Sequence, residues 1–308
     1  MDTIKQYTAN LQKPRNRKGL KNSTKESLVG WSFILPMLIG FCIFCFIPII
    51  TSLGISFTDW NLLQAPKFVG LQNYTRLIKD SSFIKCVSNT LFFVLTMVPS
   101  ILVISLILAL ILNKGLKGRG FFRAAFYIPC ITSTVAISMV WLWIYGPQNG
   151  VLNSVLGTFG ISSVDWLGNP LTAKPALVIM RIWQASGYYM LMFLAGLQTI
   201  PDSLYEVAEI DGATKWEKIR HITLPLLAPT MFLVIILLTI ESFNIFEAVY
   251  VMTEGGPAGA TDTLMYYIYH NGFRLYNMGY ASSIAWFLFL VLIVLTLIQF
   301  KFKKEDIY

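Results

Sequence analysis

Six runs of apolar residues, at about 30–57, 87–112, 122–145, 175–197, 226–250 and 279–300, constrain this chain more than any other feature of its sequence. Each is long enough to cross a ~30 Å hydrocarbon core as a helix, which takes roughly 20 residues, and none has the alternation of a ~10-residue barrel strand. Backbone polar groups find no water inside a bilayer, so the spanning element must satisfy them internally. Of 308 residues, 55% are hydrophobic and only 13% are charged, too apolar a balance for an ordinary soluble domain. The expectation is an all-α membrane protein with six transmembrane helices, residues 30–302 forming the membrane domain between tails at 1–29 and 303–308.

A net charge of +8 would suggest a nucleic-acid partner in a soluble protein, but here topology accounts for it. With the amino terminus in the cytoplasm, the inside segments hold 17 of the 24 Lys and Arg: before residue 30, at 114–123, at 215–220 and at 301–304. The outside loops hold six, and Arg181 lies in a span. This asymmetry follows the positive-inside rule and predicts both termini in the cytoplasm, with lipid rather than nucleic acid as the surface met. The first apolar run is too long for a signal-peptide core and is expected to be retained as a helix, bent at Pro36 or Pro48. The tail at 1–29 is polar, basic and without apolar periodicity, and is expected to be disordered or to lie along anionic headgroups. Trp141, Trp143 and Tyr145, and again Trp166 and Leu167, are expected at the membrane interface.

Between the fourth and fifth runs lies a polar island, residues 201–225. Ser203 with Glu206, and Thr214 with Glu217, have the spacing of capping boxes and predict two short helices. Asp211-Gly212 supplies the turn between them, since glycine takes positive φ without steric penalty, and Pro225 is expected to stop the second helix. Leu204, Val207, Ala208 and Asp211 share a narrow face of the first helix, on which small groups allow close approach.

Glu206-Val207-Ala208, Asp211-Gly212-Ala213 and Ile222-Thr223-Leu224-Pro225 together resemble the coupling signature of permease subunits of ATP-binding-cassette (ABC) importers. Val207 stands where alanine is usual and Ile219 where phenylalanine is most frequent; both keep an apolar side chain. Residues 68–74, the Gly255-Gly256-Pro257 turn, residues 261–264 and 278–281 are similar to the carbohydrate-uptake branch, related to maltose and glycerol-phosphate permeases. The resemblance covers most of the chain from about residue 30. It implies the MetI-like permease fold, no cofactor, location in a bacterial-type cell membrane, and three kinds of partner: a second permease, cytoplasmic ATP-binding subunits and an extracytoplasmic solute-binding protein. It also implies that the elbow docks on the ATPase. Glu206 would pair with its polar or basic groups, Ala208 would allow close approach, Asp211, Gly212 and Ala213 would shape the turn, and Leu224 and Pro225 would join the elbow to helix five.

No phosphate-binding G-x-x-x-x-G-K-[ST] loop, metal-binding H-E-x-x-H helix or nucleophile elbow occurs, so intrinsic ATP hydrolysis or other catalysis is not expected. Cys42 and Cys45 are spaced as Cys-x-x-Cys but sit in an apolar run without a second ligand pair, and are read as filler. Charged groups in spans cost ~2.5–3.5 kcal/mol each at the bilayer centre, so Glu241 and Arg181 need a reason to be there. Gln184 with Tyr188, and Glu241 with Asn244, share helix faces and make a candidate solute path, with Trp183, Phe243 and Phe246 as aromatic company. Two other roles stay open for these groups: bonding between helices, with Arg181 snorkelling to the interface, or proton carriage by Glu241 or Glu247 in an ion-driven secondary transporter.

Overall fold

Segments with no water to bind close their backbone bonds on themselves. The computed structural model of the chain, which describes residues 19–113 and 117–301, is accordingly helical apart from one short ribbon. It divides into a unit ending at Gly54 and a unit beginning at Ile55. In the first, α1 (Gly19–Phe41) passes through a π-turn at Cys42–Phe46 into α2 (Ile47–Ser56). Residues 19–29 are therefore opening turns of a helix rather than an irregular tail, because extending an existing helix is far easier than nucleating one. Residues 1–18, 114–116 of the basic loop and the tail at 303–308 lie outside the described residues. Pro36 sits within α1 without ending it. The departure from α geometry comes at the π-turn, just before Pro48.

The second unit opens with β1 (Thr58–Asp59) paired antiparallel to β2 (Lys67–Phe68), followed by α3 (Gln72–Lys79) and the long α4 (Ser81–Asn113). Then come α5 (Arg119–Ile131), α6 (Thr134–Ile144), α7 (Val151–Thr158) and α8 (Pro170–Leu197). Five helical stretches among the described residues are long and apolar enough to cross a membrane: Val29–Ser56, α4, α8, Ala228–Met252 and Met278–Lys301. The third apolar run is not one straight helix, because α5 and α6 meet at 100° across Thr132 and Ser133. The carbonyls freed at the end of α5 are partly satisfied locally, the Thr132 hydroxyl donating to the Ile128 carbonyl at 2.9 Å. Counted as one bent span, the pair brings the total to six.

α8 is the least apolar of the spans, yet it is mostly buried where α4 is mostly not. A polar span needs protein around it, whereas the apolar α4 can face lipid. The core is built where these two meet, from Phe93, Met97 and Ile101 of α4 and Leu177, Met190 and Phe193 of α8. The Ser105 hydroxyl donates to the Ser186 carbonyl across the contact at 2.9 Å. On another face, Gly187 lets α5 come against α8: a Cβ there would lie 1.8 Å from the Phe126 carbonyl oxygen.

At one end of the bundle, the Tyr267 and Tyr280 hydroxyls donate to Asp80 Oδ2 at 2.7 and 2.5 Å, tying α3 and α4 to the last helical segments. Burial works to raise the Asp80 pKa, but these two bonds with the Phe83 and Ser82 backbone bonds outweigh it and hold the carboxyl below its ordinary range. Tyr145, expected at the interface, is buried, with its hydroxyl donating to the Ala176 carbonyl at 3.0 Å. Trp166 likewise belongs to the packed end, its indole N–H donating to Asn153 Oδ1 at 3.0 Å.

The Gly187 contact gives a direct check. Gly187→Ala is expected to cost about 1–3 kcal/mol through overpacking, read as a lower thermal unfolding temperature of the purified protein. Gly157→Ala, inside α7 where nothing lies within 4 Å, should be neutral or stabilise by up to about 1 kcal/mol. Equal behaviour of the two variants would contradict the close α5–α8 approach.

Candidate functional site

After α8 the chain leaves the apolar core and builds the elbow from α9 (Asp202–Ile210) and α10 (Lys215–Lys218). The expected Ser203–Glu206 capping box does not form. Pro201 occupies the cap position and Asp202 already belongs to the first turn, where its charge suits the helix dipole, so Ser203 lies inside the helix. The second box does form: Glu217 N–H donates to Thr214 Oγ1 at 3.3 Å and Thr214 N–H to Glu217 Oε2 at 2.7 Å. The Thr214 hydroxyl, which also donates to Glu217 Oε2 at 2.7 Å, and then the Thr214 N–H hold the Glu217 pKa below its ordinary value. Gly212 takes φ +80°, and Ala213 N–H reaches back to the Ala208 carbonyl at 2.8 Å, which closes the end of α9.

Pro225 does not stop the second helix. A π-turn at Ile219–Thr223 carries the chain into α11 (Leu224–Leu226), with Pro225 at its second position, and on to α12 (Ala228–Phe243). A proline ring clashes with the carbonyl four residues back and offers no N–H, and the wider π-turn moves that carbonyl aside. The same arrangement precedes Pro48. Two contacts brace the elbow: Tyr205 and Thr223 share a hydroxyl–hydroxyl bond of 2.9 Å, and Lys218 Nζ lies 2.9 Å from Glu209 Oε2. Their partners are far apart in sequence, so no local pattern announces them. Of the residues assigned to coupling, Glu206, Asp211, Gly212 and Pro225 are exposed, and Ala208, Ala213 and Leu224 are half-buried. Ile210 and Trp216, on the two helices of the elbow, are 86% and 66% exposed.

α12 ends at Asn244 and the chain resumes in α13 (Glu247–Met252), α14 (Leu264–Tyr269), a π-turn at His270–Arg274 and α15 (Met278–Lys301). Where the α5–α6 break faces α8 and the end of α12, a cavity of about 520 Å³ opens. Gln184, Tyr188, Glu241 and Asn244, singled out from sequence on two separate helices, all line it, as does Glu247. Arg181 does not snorkel: it is 9% exposed and forms an ion pair with Glu241. Its Nη1 donates to Gln184 Oε1 at 2.5 Å, Gln184 Nε2 donates to Thr134 Oγ1 at 3.1 Å, and the Tyr189 hydroxyl donates to Glu241 Oε2 at 2.6 Å. One network therefore joins α6, α8 and α12. The expected aromatic neighbours are elsewhere: Phe243 is in the core and Phe246 stacks on Tyr250. Trp183 lines a separate apolar groove with Trp141. The cavity's rings are those of Tyr127, Tyr188 and Tyr189 instead. Cys130 also lines it, with its thiol donating to the Gln184 carbonyl at 2.9 Å.

Removing one partner of a buried ion pair costs ~3–5 kcal/mol. With the Glu241 side chain 40% exposed, the loss should be smaller. Glu241→Ala is expected to destabilise the purified protein by about 2 kcal/mol, and adding Arg181→Met should restore part of it. If the double variant is less stable by the full sum of the single ones, Arg181 and Glu241 are not coupled.

A family model described as a binding-protein-dependent transport system inner membrane component matches residues 78–303. The probable ABC transporter permease protein YesP of Bacillus subtilis (strain 168) is 38% identical over 289 residues, covering 92% of this chain and 93% of its own. The trehalose/maltose transport system permease protein MalF of Thermococcus litoralis is 36% identical over 278 residues, covering 90% and 94%. In the crystal structure of a bacterial ABC transporter involved in the import of the acidic polysaccharide alginate, one chain superposes with a TM-score of 0.82 at 25% identity, covering 92% of this chain and 99% of that one. The fold and these similarities agree: the chain belongs to the family of binding-protein-dependent transport system inner membrane components, as a non-catalytic, multi-pass permease subunit of an ABC importer.

Proposed function

We propose that this chain, with a second permease, forms the path by which a saccharide delivered by an extracytoplasmic binding protein enters a bacterial-type cell, driven by ATP hydrolysed on cytoplasmic partner subunits. The observation that carries the proposal is the elbow: a braced, exposed helix pair that presents Ile210 and Trp216 uncovered among the described residues. Exposed apolar side chains on an otherwise polar elbow support a protein partner there. Glu206 and Asp211 are exposed there for polar contacts, while Gly212 sets the turn and Leu224 and Pro225 join the elbow to α12. The distribution of Lys and Arg supports a cytoplasmic elbow and cytoplasmic termini. α5 and α6 act as one bent span, giving the six of a MetI-like permease.

Closure of the ATPase pair would move the elbow as a body and swing α8 and α12, exchanging access to the cavity between the two sides. Hydroxyl, amide and carboxylate groups beside tyrosine rings suit a saccharide, and the trehalose/maltose relative supports a solute of that kind, within the maltose and glycerol-phosphate branch. Glu241 is committed to Arg181 and Tyr189, which fits an importer better than a proton carrier.

The chain is expected to purify with an ATPase, and vanadate should stop its uptake while an uncoupler does not. Gly212→Pro should lower uptake at least tenfold without loss of membrane insertion, because proline's φ near −65° is incompatible with the +80° found there. Uptake that persists in this variant, or that yields to the uncoupler and not to vanadate, would overturn the proposal. Gln184→Ala and Asn244→Ala should change which saccharides are taken up; an unchanged profile would mean that these groups only pack.

A further inference from the structure

The relatives' named solutes include trehalose, maltose and the acidic polysaccharide alginate, so similarity leaves open which charge this cavity accepts. Its own residues bear on that question. Arg181 is the one Lys or Arg among those lining it. That guanidinium is already engaged, with Nη2 on Glu241 and Nη1 on Gln184, while the second oxygen of Glu241 takes the Tyr189 hydroxyl. Arg181 Nε is buried without a partner among the described residues, and the charge that the guanidinium offers an incoming carboxylate is already offset by Glu241. Glu247, at the first position of α13, is exposed on the cavity and makes no side-chain hydrogen bond or ion pair among the described residues. The rest of the polar lining, from Thr134, Asn244 and the tyrosines, is uncharged. One cation against two carboxylates leaves the cavity with a net negative charge, and Glu247 is the side chain that supplies it.

We infer that Glu247 sets the charge selectivity of the cavity, admitting hydroxyl-rich solutes that are uncharged or carry an amine and turning away saccharides that carry a carboxylate. The inference rests on the cavity being the solute path. A free carboxylate accepts hydrogen bonds from neighbouring sugar hydroxyls and pairs with an ammonium. Against an anion, one unit charge at about 8 Å in a partly wet site with an effective dielectric of roughly 40 changes local concentration about fivefold. Opposite probe charges therefore differ by roughly the square of that, on the order of twentyfold.

Cys130 lies in the same cavity and reports its charge without any need to know the solute. The assembled transporter in proteoliposomes, carrying Cys42→Ser, Cys45→Ser and Cys86→Ala so that Cys130 remains, is treated with two methanethiosulfonates, one bearing a trimethylammonium and one a sulfonate. Each transfers its thio group to the thiolate, forming a mixed disulfide and releasing methanesulfinate. The rate ratio of cation to anion, divided by the same ratio for 2-mercaptoethanol, is expected to exceed one by about tenfold or more at low salt. Glu247→Gln should bring it down at least threefold, and Glu247→Asp should keep it. Asn244→Cys, in a background with Cys130→Ser, serves as a second reporter. An unchanged ratio in Glu247→Gln, or no reaction of either reporter with either reagent, overturns the inference. If the ratio behaves as stated while Gln184→Ala and Asn244→Ala leave the solute profile untouched, the passage reading fails, and the solute selectivity falls with it.

Discussion

A guanidinium and a carboxylate within an apolar bundle are tolerable only together, and the pairing of Arg181 with Glu241 fixes how the spans of this chain meet. The pair joins α8 to α12, Gln184 extends it to Thr134 at the start of α6, and Tyr189 closes it on the other side. Satisfying these groups puts the polar α8 among its neighbours and leaves the apolar faces of α4 and α15 to lipid. It also leaves a space that the bent α5–α6 segment cannot fill, and that space is the cavity. The polar groups of the cavity and the packing that tolerates them thus arise from one arrangement.

The same helix that carries Glu241 leads to the elbow. From Pro225 to Glu241 the chain covers about 24 Å of nearly continuous helix at roughly 1.5 Å per residue, with Leu227 N–H bonded to the Thr223 carbonyl and Met231 N–H to that of Leu227. A displacement of the elbow therefore has a stiff route to the cavity wall. The Tyr205–Thr223 and Lys218–Glu209 contacts tie the two helices of the elbow to each other and to the π-turn. The π-turn at Ile219–Thr223 is the one interruption of α geometry between α10 and α11, which makes it the natural place for bending.

The spans and the elbow were legible because their signals are local. Apolar runs of fixed length, Thr214 with Glu217 three residues on, and glycine at a positive-φ turn each declare themselves within a few positions. Ser203 and Glu206 have the same spacing as the second pair, yet form no box, since the outcome turns on Pro201 and Asp202 beside them. The break at Thr132 and Ser133 carries no glycine, and the one proline nearby, Pro129, lies inside α5 without ending it. Arg181 and Glu241 stood out as charges in apolar runs, but not as partners, because they are 60 residues apart and only the packing of α8 on α12 introduces them. Trp183, Phe243 and Phe246 lie off the cavity for the opposite reason: closeness in sequence to polar residues says nothing about which face of the helix they take.

The central claim is that the elbow lies in the cytoplasm, on the side from which a separate ATPase can push it. Ile210, exposed at the end of α9, tests this most directly. With Ile210→Cys in a chain otherwise free of reactive cysteine, a membrane-impermeant maleimide is expected to label inside-out vesicles and to leave intact cells unlabelled. Labelling of residue 210 in intact, sealed cells would contradict the account.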